Sequence, residues 1–189
     1  MEENRNSYME RQRVFVAIDF PSEVIKEIAR VQEILGNLKF SGKMTELENL
    51  HLTLKFLGEI DNDKLKEVEK RLLDIKLEKF ESRLNGIGIF SYHGNPRIVW
   101  IKIGGKGIFE LQKKIDEILA DLFKPEERFM SHMTIARVKY ARDKIGFKNF
   151  IEGIKLKDIK FKVDKFMLKE SELMELGPIY RDLESYLLK

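Results

Sequence analysis

His51-Leu52-Thr53-Leu54-Lys55-Phe56-Leu57 and His132-Met133-Thr134-Ile135-Ala136-Arg137-Val138 are two apolar-rich stretches that open on the same pattern, His-x-Thr-x. On a β-strand successive side chains point to opposite faces, so each His and the Thr two residues later emerge together. Leu52, Leu54, Met133 and Ile135 then turn the other way, into a core. Three histidines and three threonines scattered over 189 residues would give about 0.05 such pairs by chance. The chain has two, in corresponding places of two similar halves.

Outward from each motif the pattern repeats. Val14 to Asp19 alternates as a strand, and Pro21-Ser22 opens a helix whose apolar stripe runs from Val24 to Leu35 and stops at Gly36. The first motif strand is expected over Leu50 to Leu57, followed by a helix capped by Asp61 or Asn62 and running to about Ile75. Strands around Phe80 to Phe90 and Ile98 to Ile103 flank the turn-rich Ser91 to Pro96. Gly104-Gly105-Lys106-Gly107 then leads into an amphipathic helix through Leu122. The second motif strand covers His132 to Val138, a helix follows over about Asp143 to Ile154, and strands are expected at Phe161 to Leu168 and Tyr186 to Leu188. Strands separated by helices, with hairpins among them, specify an α+β fold of two similar lobes. No linker divides them. Residues 1–12 read as a disordered extension and 13–189 as a single domain.

Composition narrows the chemistry. The absence of cysteine excludes disulfides, thiolate metal sites and a cysteine nucleophile, and three histidines leave little for a multi-histidine metal centre. A net charge of +3 is compatible with an anionic partner without identifying one. No stretch approaches the roughly 18 apolar residues that span a bilayer, and the polar N-terminus lacks the apolar core of a signal peptide, so a cytoplasmic protein with no membrane association is expected. Two imidazoles facing each other across a groove suit phosphodiester chemistry near neutral pH: one takes a proton from water and the other gives a proton to the leaving oxygen. Thr53 and Thr134 would hold the non-bridging phosphate oxygens. No metal or other cofactor is called for.

His51 to Glu59 and Ser131 to Arg137 resemble the paired signatures of the 2H phosphoesterases, and more narrowly the RNA 2′,3′-cyclic phosphodiesterases historically called 2′-5′ RNA ligases. Val14 to Pro21, Pro96 to Trp100, Ser171 to Leu173 and Gly177 to Tyr180 extend the resemblance over nearly the whole chain from residue 13. It implies a bilobal fold of two pseudo-symmetric lobes, antiparallel sheet inside and helices outside, each offering one motif strand to a central cleft. It also implies hydrolysis of an RNA 2′,3′-cyclic phosphate end to a 2′-phosphate, with a weaker, reversible 2′-5′ joining of tRNA halves. A monomer is expected. By the same analogy His51 protonates the departing 3′ oxygen, His132 activates water and Arg137 binds the phosphate.

Arg137 lies five residues beyond His132, so strict alternation puts it on the wrong face unless a bulge intervenes. Phe56 stands at the same offset from His51; packing in the core is favoured for it over stacking on a base. Trp100 is expected in the core, Arg97 on the cleft floor or in solvent, and His93 in a solvated turn. Gly104 to Gly107 reads as a strand-to-helix turn and Lys155 to Lys162 as a solvated face, the alternative for the latter being an RNA backbone track. The reading from another class is a non-catalytic nucleotide-binding module on the same cleft; a third is a ligase whose main task is joining tRNA halves.

Overall fold

The computed structural model describes residues 11–175 and 177–189. Most of the expected N-terminal extension, up to residue 10, lies outside them. Two antiparallel sheets form the frame. The first has four strands in the order β3-β1-β8-β9: β1 (Gln12–Asp19), β3 (His51–Ile60), β8 (Lys165–Met174) and β9 (Gly177–Leu187). The second has five in the order β2-β6-β5-β4-β7: β2 (Phe40–Met44), β4 (Phe80–Tyr92), β5 (Asn95–Gly104), β6 (His132–Ala141) and β7 (Lys160–Val163). Helices α1 (Ser22–Gly36), α2 (Asn62–Leu72), α3 (Lys106–Ile118) and α4 (Lys144–Gly153) complete the α+β arrangement expected from the sequence.

Each helix forms for a local reason and buries one stripe. Asp61 accepts from the Lys64 N–H at 2.9 Å and starts α2, and Asp143 accepts from the Gly146 N–H at 2.8 Å and starts α4. In α3, Ile108, Leu111 and Ile115 are fully buried, as are Val24, Ile28, Val31 and Leu35 of α1. These side chains join Leu52, Leu54, Met133 and Ile135 in one continuous apolar cluster that reaches both sheets.

Several boundaries differ from the sequence expectation. The strands β4 and β5 run on to a two-residue turn, His93-Gly94, with φ of 46° and 72°; positive φ at both positions matches the right-handed twist of a hairpin. The expected strand over Phe161 to Leu168 is two strands, because the chain leaves the second sheet at Asp164 and enters the first. The final strand begins nine residues earlier than expected, at Gly177, where it pairs with β8 along its whole length. The edge strand β2 has no counterpart in the sequence expectation. Its Gly42 lies so close to β6 that a Cβ there would stand 2.3 Å from the Arg137 carbonyl oxygen. Both α2 and α3 end sooner than expected, at Leu72 and Ile118.

Candidate active site

The two motif strands are built alike in a way alternation cannot reveal. Along β3, Thr53 pairs with Ala17 and Lys55 with Val16, so Leu54 is an extra residue with no partner on β1. Along β6, Thr134 pairs with Trp100 and Ala136 with Val99, leaving Ile135 extra. Both bulges fall three residues after the histidine, and both produce consecutive buried residues, Leu54-Lys55 and Ile135-Ala136. The bulge reverses the phase of the strand, so Phe56 and Arg137 rejoin the face that carries His and Thr.

His51, Thr53, Phe56, His132, Thr134 and Arg137 accordingly line one cleft of about 600 Å³. Phe56 is 56% exposed there, which corrects the expectation of core packing. The Arg13 guanidinium lies 5.7 Å from its ring centroid. Trp100, expected in the core, is half-buried on the same face as Thr134, its indole lying over Gly88 and beside Phe90. Arg97 is exposed and donates to the Lys139 carbonyl at 2.9 Å, away from the cleft. His93 is confined to its hairpin turn.

Both imidazoles are oriented by the same device. Nδ1 of His51 lies 2.8 Å from the Asn49 carbonyl oxygen, and Nδ1 of His132 lies 2.7 Å from that of Met130, in each case two residues earlier. A carbonyl only accepts, so Nδ1 keeps its proton and Nε2 is the nitrogen left for chemistry. Nε2 of His51 is 3.1 Å from the Thr53 hydroxyl. Aromatic rings hold the imidazoles from the side: Phe15 and Tyr180 at 4.8 and 4.9 Å from His51, and Phe90 at 5.0 Å from His132.

His51 is half-buried among fixed charges. Burial pushes the His51 imidazole below its usual pKa; the Asn49 carbonyl opposes this, the nearby Lys169 and Arg137 charges reinforce it, and Asp19 opposes it. Lys169 lies 2.9 Å from Asp19 and 2.5 Å from Asp182. Burial lowers the Lys169 pKa, and the two carboxylates outweigh it, holding the ammonium above the ordinary lysine range. Burial also raises the Tyr180 phenol. Arg137 makes no ion pair among the described residues, so its charge is available to an anion in the cleft.

Sequence reasoning missed Arg13, Phe15, Lys43, Glu46 and Tyr180 as cleft residues. Tyr180 stands inside a stretch that carries the family resemblance, a signal that points to the position without a role. Phe15 likewise stands inside such a stretch, Val14 to Pro21, where it reads as one more apolar residue of β1, and Lys43 belongs to the unexpected β2. Among the described residues no three His, Cys, Asp or Glu side chains are grouped to hold a metal ion, and no helix is long and apolar enough to cross a membrane.

The model of the LigT-like phosphoesterases matches residues 18–100 and 103–180. A Methanocaldococcus jannaschii protein named RNA 2′,3′-cyclic phosphodiesterase is 39% identical over 177 residues, covering 92% of this chain and 99% of its own. A Thermotoga maritima protein of the same name is 36% identical, covering 90% of this chain and 92% of its own. The crystal structure of TT0787 from Thermus thermophilus superposes with a TM-score of 0.78 at 26% identity, over 93% of this chain and 97% of the other. With two bulged His-x-Thr strands meeting in one cleft and matches over nearly its whole length, the chain belongs to the LigT-like phosphoesterases, the 2H family its motifs resemble.

Proposed function

We propose that the protein hydrolyses the 2′,3′-cyclic phosphate at the 3′ end of RNA to a 2′-phosphate, with His51 and His132 as the acid–base pair. The observation behind this reading is the matched pair of imidazoles, each locked through Nδ1 so that Nε2 faces the same cleft. Relatives named RNA 2′,3′-cyclic phosphodiesterase at 33–39% identity supply the substrate class. One imidazole takes a proton from water as its oxygen attacks phosphorus. The bond from phosphorus to O3′ breaks, and the other imidazole delivers its proton to that oxygen. Thr53 and Thr134 hydroxyls and the Arg137 guanidinium hold the non-bridging oxygens, where charge builds in the transition state. The exposed ring of Phe56 stacks on the terminal base in this reading, supported by its exposure in the cleft. A 5′-hydroxyl attacking in place of water would form a 2′-5′ phosphodiester by the same steps, which is the basis for expecting a weak joining of tRNA halves. The working unit is a monomer, since one chain supplies both histidines.

The test is a short RNA ending in a 2′,3′-cyclic phosphate, incubated in excess EDTA with the wild type, His51→Ala and His132→Ala. Conversion to a 2′-phosphate that persists in EDTA and drops by about 10²–10⁴-fold in each variant is expected. A bridging 3′-sulfur in place of O3′ needs no proton on leaving, so it should rescue only the variant lacking the general acid and thereby assign the roles. Binding of the RNA by folded wild type without turnover would instead establish a nucleotide-binding module.

A further inference from the structure

The charges of the two sheets differ sharply. The five strands of the second sheet contain eight Lys and Arg residues and one acidic residue, Glu81. The four strands of the first sheet contain five Lys and Arg residues against six acidic ones. With a formal net charge of only +3 for the whole chain, the positive excess is gathered on the sheet that carries His132.

Part of it forms a row leading away from the site. Lys102 is the register partner of His132, so the two side chains leave the sheet on the same face. Two residues further along β5, Gly104 pairs with Arg83 of β4, and Arg83 pairs in turn with Lys160 of β7. Lys102, Arg83, Lys160 and the neighbouring Lys106 are all exposed. Between them the surface dips into a second hollow of about 340 Å³, lined by Arg83, Gly104, Gly105, Lys106 and Lys160 among others, and sharing no residue with the catalytic cleft. Lys160 is 3.4 Å from Glu81, whereas Arg83, Lys102 and Lys106 make no ion pair among the described residues. From strand spacing, Arg83 stands about 12 Å across the sheet from His132. The Asn85 side chain lies directly on Gly104, adding an amide to the row.

We infer that this face binds the phosphodiester backbone of single-stranded RNA on the 5′ side of the reacting end, guiding the strand over β5, β4 and β7 while its last nucleotide occupies the cleft. The inference rests on the hydrolase reading for the position of the 3′ end. Exposed cations in a row suit a flexible polyanion, which can bring successive phosphates to them, and release of the counterions condensed on those phosphates makes such contacts favourable at low salt. Single-strand backbone contacts carry no base selectivity, so the face would set a preference for length.

The experiment compares the wild type with the triple variant Arg83→Ala, Lys102→Ala, Lys106→Ala on two substrates, a mononucleoside 2′,3′-cyclic phosphate and an RNA of about a dozen nucleotides with the same end. For the longer RNA, KM in the variant should rise about 10-fold at low salt with kcat little changed. The slope of log kcat/KM against log salt should become shallower by about 2, since each single-strand phosphate contact contributes about 0.7. The mononucleotide should be turned over as by the wild type. Unchanged KM and salt slope on the longer RNA, or an equal loss on both substrates, would overturn the inference. Failure of the wild type to turn over either substrate sinks the hydrolase reading instead. In that event, anisotropy of labelled RNA on the two proteins still tests the face: equal affinity refutes it, and weaker binding by the variant supports it.

Discussion

His51 and His132 start from the same geometry and differ in surroundings. The depressed pKa of His51 has its largest cause in burial, and Lys169 and Asp19 pull on it in opposite directions. Lys169→Met, which removes a cation, should therefore raise the His51 pKa, and Asp19→Asn, which removes an anion, should lower it further. An NMR titration of the His51 imidazole checks both, and shifts of the opposite sign would remove the charge pair from the account. The same depression has a consequence for stability. The unfolded chain takes up the His51 proton near pH 6.5, before the folded chain does. The associated stability is thus full above that pH and is lost as pH falls through the lower folded value. The two histidines are legible as a pair from spacing alone. Their tautomers are not, because the carbonyls of Asn49 and Met130 that set them accept by virtue of backbone conformation and carry no residue signature.

At the level of strands and helices, the bulges at Leu54 and Ile135 decide which side chains reach the cleft, and the residue after each bulge differs between the two strands. Position 136 is a buried Ala, while position 55 is a Lys only 4% exposed. The Lys55 ammonium pairs with Asp116 of α3 and donates to the Lys124 carbonyl at 2.8 Å. Asp116 also accepts from Gln112 at 2.6 Å and from the Glu126 N–H at 3.0 Å. This network ties the His51 strand to α3 and to the loop leading towards His132. Removing one partner leaves the other charge buried, so Lys55→Met should cost about 3–5 kcal/mol in urea unfolding, and the double variant Lys55→Met, Asp116→Leu should recover much of it. Equal losses in the single and double variants would mean that the stranded Asp116 charge is not the source of the cost. Neither the bulges nor this pair can be read from the sequence. A bulge exists only relative to a partner strand, and Lys55 in an alternating pattern reads as a wet-face residue.

Across the molecule, one apolar cluster reaches both sheets, from which the two lobes are expected to unfold as one cooperative unit. Trp100, the one tryptophan, reports on the second sheet, and far-UV circular dichroism reports on all strands. Their urea transitions should coincide, and a Trp100 transition displaced from the other would show that the lobes unfold separately. Residue type and short spacing suffice for the α+β class, for the repeated motif, and for singling out the two histidines and two threonines that line one cleft. These are properties of the chain before it folds. Folding was needed to show that Phe56 and Arg137 join the cleft, that β7 and β8 part into different sheets at Asp164, that β2 and β9 exist at their full extent, and that the basic side chains gather on one face. These features depend on which strands lie side by side and in what register, and hydrogen bonding between segments distant in sequence leaves almost no mark on the local pattern of either.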